Sequence, residues 1–233
     1  MNIIQRILFI ILSVTAFGFS WPLSATSPNL MTNSERTWVQ TQMQILQPRA
    51  DDLSSDVLRL SLVAYLKARE KGMDAKQILT VIDYSKPSYE KRLWVFDLRR
   101  QRELYHTWVT HGKNSGNVYA TSFSNRRHSL KSSIGVFVTD QTYVGHVGYA
   151  VRISGLERGI NDNAYRRATV IHGARYVGED MVRRYGRIGR SWGCPAVDAK
   201  LSRSLINVIK NNTIVVAYYH DRNWIRRSKY LAV

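Results

Sequence analysis

The sequence predicts a mainly β domain, preceded by a short helical region and carrying a helix towards its C-terminus. Three observations carry this reading. From residue 77 onwards, short runs rich in β-branched and aromatic residues alternate apolar and polar positions, as half-buried strands do. Before residue 77 the apolar residues recur at helical spacing instead. A second helical stretch, over 198–210, puts Leu201, Leu205, Ile206 and Ile209 on one face and stops at Asn211 and Asn212.

The elements follow in order. Trp38, Met43, Ile45 and Leu46 give a weak helical pattern. Over 56–71 the pattern is clearer, with Val57, Leu58, Leu62, Tyr65 and Leu66 in a charged background closed by Gly72. Strands are expected over 78–84, 92–98, 104–109, 133–139, 149–153, 169–172 and 214–219. There is no internal repeat and no low-complexity linker. The division expected is 1–25, 26–76 as a helical accessory region, and 77–233 as the main domain.

Residues 1–25 read as an export signal. Arg6 supplies a positive start, an apolar run of 13 residues follows from Ile7 to Phe19, Pro22 breaks any helix, and Ala25 offers a small residue for cleavage. The run is shorter than the roughly 20 apolar residues that a membrane span needs, so no stable span is expected after cleavage. No Cys follows the apolar core, so the signal lacks a lipoprotein site. A Gram-negative periplasm is the expected location.

Export bears on the charge. The 233 residues hold 34 Lys+Arg against 17 Asp+Glu, a net charge of +17, which calls for anionic surroundings without naming the polyanion. The Arg pairs (Arg99-Arg100, Arg126-Arg127, Arg166-Arg167, Arg183-Arg184, Arg226-Arg227) are scattered and not interleaved with aromatics as in a nucleic-acid motif. Anionic envelope polymers are therefore expected partners and nucleic acid is not. Each Arg pair taken alone reads as a solvated face.

Cys194 is the only cysteine, so no intrachain disulfide forms. A lone thiol in an oxidising compartment is either buried and inert or kept for chemistry. Its setting favours chemistry. Gly193 permits a turn other residues resist, successive N–H groups around such a turn can converge on an oxyanion, and Pro195 has no N–H with which to extend the set. The candidate oxyanion donors are the backbone groups of Trp192, Gly193 and Cys194. A thiol needs a base to ionise at neutral pH. His172 ends an apolar strand-like run and precedes Gly173; His111, before Gly112, is its strongest competitor. None of the histidines forms the close pairs expected of a metal site, so no metal or other cofactor is expected.

These residues resemble the L,D-transpeptidase catalytic domain family (YkuD-type), in its divergent murein branch. The resemblance rests on Ile171-His172-Gly173, the 22 positions from His172 to Cys194, and Ser191-x-Gly193-Cys194. It extends through His111 to Gly116, Phe123-Ser124-Asn125, Ser132 to Phe137 and Gly155-Leu156-Glu157, covering roughly 78–219. It implies a β-sandwich-like catalytic domain with Cys194 as nucleophile and His172 as base. It further implies a backbone carbonyl near Gly173 holding the other imidazole nitrogen, peptidoglycan stem peptides as substrates, and carbapenem adducts on the thiol. Two residues depart from the commoner family pattern: Trp192 stands where a second histidine is usual, and Ala196 where an arginine that recognises a carboxylate is usual. Arg190 or Arg175 are candidates for that charge, and Ser191 either touches substrate or fixes the turn. Hydrolysis of stem peptides by the same thioester, and a non-catalytic wall-binding module, are the alternatives.

Overall fold

A computed structural model describes residues 31–231. The expected signal over 1–25 and the first residues of the accessory region lie outside the described residues.

Two helices come first. α1, Asn33–Leu46, starts with a capping box in which Glu35 N–H donates to Thr32 Oγ1 at 3.2 Å and Thr32 N–H donates to the Glu35 carboxylate at 2.5 Å. α2, Ser55–Glu70, buries Leu58, Leu62, Ala64, Tyr65 and Ala68 along one side. Each fully buried leucine there is worth about 1.5–3 kcal/mol. Lys67 ties the pair, with Nζ 3.0 Å from Glu35 Oε1, and Trp38 stacks on Tyr65. α2 packs onto strands β1 and β8 and shares their core.

The strands are β1 (Ile78–Asp83), β2 (Leu93–Asp97), β3 (Arg102–Thr107), β4 (Gly135–Gly145), β5 (Gly148–Gly155), β6 (Val170–Ala174), β7 (Ala196–Asp198) and β8 (Ile214–Tyr218). They form one sheet in the order β3-β2-β1-β8-β4-β5-β6-β7, with β1–β8 and β6–β7 parallel and the other pairs antiparallel. Val109, just beyond β3, bridges Val197 of β7. The two outer edges thereby meet, and the sheet curls into a near-barrel around Leu79, Val81, Trp94, Phe96, Val136, Phe137 and Val216. Curling also covers the edges that an open sheet would expose. The expected mainly β fold is present.

Three further helices are α3 (Glu179–Tyr185), α4 (Ala199–Ile209) and α5 (Arg222–Arg227). α4 is the helix expected over 198–210; Asp198 caps it by accepting from Lys200 N–H at 2.8 Å. α3 and α5 were not expected, because α3 buries no residue and α5 buries only Trp224, so neither carries an apolar stripe. β7 has three residues, too few for a periodic pattern to register. β4 runs past the expected end at 139 because its outer half leaves the core and pairs with β5 as a hairpin.

Candidate functional site

The segment before β7 is fastened at both ends to residues 109–113. Ser191 N–H donates to His111 O at 3.0 Å, and Lys113 N–H to Ser191 O at 2.8 Å. Past the turn, Thr110 N–H donates to Ala196 O at 2.9 Å, and Ala196 N–H to Thr110 Oγ1 at 3.0 Å. Trp192, Gly193, Cys194 and Pro195 form the loop between these anchors. Two hydroxyls hold the Cys194 carbonyl, Ser191 Oγ at 2.6 Å and Thr110 Oγ1 at 3.2 Å. Ser132 Oγ donates to Gly193 O at 3.4 Å; since a trans peptide opposes its C=O and N–H, the Cys194 N–H faces away from Ser132. Gly193 has φ +124°, and a Cβ on it would lie 2.7 Å from Lys131 O, so both conformation and space require glycine.

These contacts narrow the expected oxyanion donors. Gly193 N–H already donates to Ser191 Oγ at 3.0 Å, so it is not free for a substrate. Among the described residues the N–H groups of Trp192 and Cys194 make no hydrogen bond. Ser191 is buried, and its hydroxyl is spent on the turn.

His172 lies in the middle of β6, in register with Ala196 of β7, and its N–H reaches Pro195 O at 3.4 Å. The parallel pairing therefore carries the Cys194 loop past the imidazole strand. His172 Nδ1 is 2.9 Å from Gly173 O. A carbonyl only accepts, so Nδ1 carries the proton and Nε2 keeps a lone pair. Burial lowers the His172 pKa, the Gly173 bond opposes that shift, and His146 adds to it. Gly173 itself is packed, as a Cβ there would come 2.4 Å from Ser202 Oγ on α4.

The thiol is partly exposed and unpaired. Its Sγ donates to Ala168 O at 3.8 Å, and no hydrogen bond joins it to the His172 ring. Burial pushes the Cys194 pKa up, while the Val170 backbone and the Arg167 charge pull it down. His128, Leu130, Arg167, Thr169, Trp192 and Gly193 share with Cys194 a cavity of about 160 Å³. Arg167 was missed as a site residue: within Arg166-Arg167 it reads as surface charge, and only contacts with residues 124–133 bring it inward.

Trp192 stands 74% exposed at the rim, with the Lys113 ammonium 5.9 Å from its ring centre. Lys113 also lines a second cleft of about 470 Å³ with Tyr176, Tyr185, Arg187 and Arg190. Arg190 bonds through Nη1 to Lys113 O at 3.2 Å and Gly116 O at 2.9 Å, so it braces the 113–116 loop while edging that cleft. Arg175 lines a different cleft, with Trp108 and Lys200. His111 is fully buried, and its Nδ1 lies 2.8 Å from Arg92 Nη2. Burial and the Arg92 charge hold its pKa at about 4, so it is a neutral strut behind the loop. Among the described residues no three His, Cys, Asp or Glu side chains converge as a metal-ligand set. No described helix is long and apolar enough to cross a membrane.

A sequence profile described as the L,D-transpeptidase catalytic domain matches residues 49–218, beginning just before α2 and ending with β8. No curated protein matches the chain. Similar solved structures include an L,D-transpeptidase from Mycobacterium smegmatis, 13% identical over 61% of this chain and 59% of that one, with a TM-score of 0.39. L,D-transpeptidase 3 from Mycobacterium tuberculosis, solved with a faropenem-derived adduct, is 13% identical over 61% and 60%, also at 0.39. An L,D-transpeptidase from Enterococcus faecium is 14% identical over 61% and 50%, at 0.35. This chain thus spans three-fifths or less of the length of these structures.

Proposed function

The chain belongs to the L,D-transpeptidase catalytic domain family, and we propose that it is an exported, cysteine-dependent peptidoglycan L,D-transpeptidase acting from the periplasm. The observation that carries this reading is the His172 Nδ1–Gly173 O bond on the strand beside the Cys194 loop. It commits one ring nitrogen and leaves the other free to act as a base, on the strand whose backbone pairs with the end of the loop that carries Cys194.

In the proposed cycle Sγ leaves Ala168 O and turns to the imidazole; such contacts commonly tighten only when substrate binds. His172 Nε2 takes the thiol proton as Sγ attacks the carbonyl carbon of the bond between an L-centre and the terminal D-residue of a stem tetrapeptide. The Trp192 and Cys194 N–H groups stabilise the oxyanion, and a donor of this kind is worth about 2.7–4 kcal/mol of barrier. The C–N bond breaks, the leaving amine takes the proton from His172, and a thioester remains. A side-chain amine of a second stem then attacks, giving its proton to His172. That proton returns to Cys194 as the C–S bond breaks. Pinning the loop through backbone bonds to residues 110–113 and through the hydroxyls of Thr110, Ser132 and Ser191 keeps its donors in one geometry, as preorganised catalysis requires. The cationic second cleft suits the acidic stem, and the +17 charge suits an anionic envelope.

The test is to incubate the mature protein with tetrapeptide-rich sacculi and identify the muropeptides by mass spectrometry. New cross-linked dimers that vanish in Cys194→Ala and His172→Ala are expected. Shortened monomers alone would make it a carboxypeptidase, and no change in any muropeptide would remove the enzymatic reading.

A further inference from the structure

Arg167 is a cation without an anion. Its side chain is half-buried, yet among the described residues no carboxylate pairs with it. Its fork is fully engaged by neutral acceptors. Nη1 donates to Ser124 O and Ser133 Oγ, both at 2.5 Å, and Nη2 donates to Lys131 O at 2.5 Å and Ser129 Oγ at 3.3 Å. Holding a half-buried charge without a counter-ion carries a desolvation cost.

The group sits against the catalytic loop. Arg167 lines the same 160 Å³ cavity as Cys194, and its Nη2 is 3.3 Å from where a Cβ on Gly193 would be. The titratable groups facing the thiol are Tyr84 after β1, Tyr176 after β6 and His128 of the 122–133 loop; Lys131 of that loop lays its carbonyl against Gly193, and His172 stands on β6, whose backbone pairs with the end of the Cys194 loop. Of these and Arg167, the permanent cations are Arg167 and Lys131, and the Lys131 ammonium is turned to Ser122 Oγ at 2.6 Å. No acidic residue lines the cavity.

We propose that Arg167 is a positioning residue whose fixed charge stabilises Cys194 as the thiolate, the anion that the unpaired, half-buried guanidinium lacks. A substrate carboxylate fits less well, because bidentate capture needs a free fork and all four terminal N–H groups are spent. A fixed charge needs no free donor to act on a neighbouring sulfur. The division of labour with His172 follows from the site. The neutral imidazole takes the proton, and Arg167 steadies the charge left behind and the thiolate that leaves in deacylation. This role deepens the proposed transpeptidase chemistry and rests on Cys194 being the nucleophile.

The test is the pH dependence of alkylation by iodoacetamide, read as the intact-mass shift; Cys194 is the only thiol, so the signal is unambiguous. Thermal unfolding of each variant is measured alongside. Arg167→Met is expected to move the alkylation midpoint up by at least about one pH unit, a tenfold change in ionisation, or about 1.4 kcal/mol. Arg167→Lys keeps the charge and loses the fork, and is expected to stay within half a unit of the parent. Ser129→Ala/Ser133→Ala loosens the staple without touching the charge and is expected to leave the midpoint in place. An unmoved midpoint in Arg167→Met, or equal shifts in Met and Lys variants, would overturn the proposal. Should the midpoint move while sacculi show no cross-linking, the transpeptidase reading fails and the charge coupling stands. The reverse result separates the two in the opposite sense.

Discussion

Ser191→Ala isolates what the hydroxyl at the head of the loop does. Ser191 Oγ accepts from Gly193 N–H at 3.0 Å and donates to Cys194 O at 2.6 Å. Deleting it leaves a buried N–H without a partner, costing about 1–3 kcal/mol, and removes a second bond worth about 0.5–1.5 kcal/mol. A loss of about 2–4 kcal/mol converts, at about 2–4 °C per kcal/mol for a protein of this size, to a fall in Tm of roughly 4–16 °C. The Cys194 backbone also loses one of its two hydroxyl anchors, so acylation by a carbapenem is expected to slow at least tenfold. Differential scanning calorimetry and intact-mass kinetics read the two effects. A slower reaction at unchanged Tm would mean that Ser191 contacts the acylating molecule instead of holding the turn. No change in either would refute the reasoning.

Two other perturbations probe the same loop. Gly193→Ala is expected to destabilise the protein by about 2–4 kcal/mol, from left-handed backbone strain and the 2.7 Å approach to Lys131 O, and to slow acylation more than a hundredfold; a variant with parental melting and rate would contradict the loop geometry. The pH–rate profile of acylation reports His172. The base works only when neutral, and burial lowers its pKa from the ordinary 6.5. The acid limb is therefore expected below pH 6.5, with activity kept at neutrality and lost as pH falls through the lowered value. A midpoint above 7 would show that another group limits the rate.

Much of this architecture is legible in the sequence because its signals are local. Strand residues such as Leu79, Val81, Trp94 and Phe96 alternate or cluster as buried strands do, and α2 and α4 carry clear apolar faces. The need for glycine at 193 was also readable, because glycine beside the cysteine speaks of a backbone requirement, whereas the carbonyl near Gly173 was expected only from the family resemblance. What stayed hidden depends on distant partners. The bond from Gly193 N–H to Ser191 Oγ removes one expected donor, and no spacing rule foretells it. His111 and His172 look alike in sequence, each followed by glycine. Arg92, 19 residues upstream of His111, separates them by burying itself against its ring. Arg167 and Arg166 are neighbours of one type, yet contacts 34–43 residues away turn only Arg167 into the Cys194 cavity.

The most direct measurement of the central claim is the intact mass of the protein, acid-quenched during turnover with a disaccharide-tetrapeptide. The mechanism predicts an adduct equal to the donor lacking its terminal D-residue, labile to hydroxylamine as a thioester is, mapped to Cys194 and absent from Cys194→Ala. No adduct on the parent protein, or an adduct that survives Cys194→Ala, would contradict it.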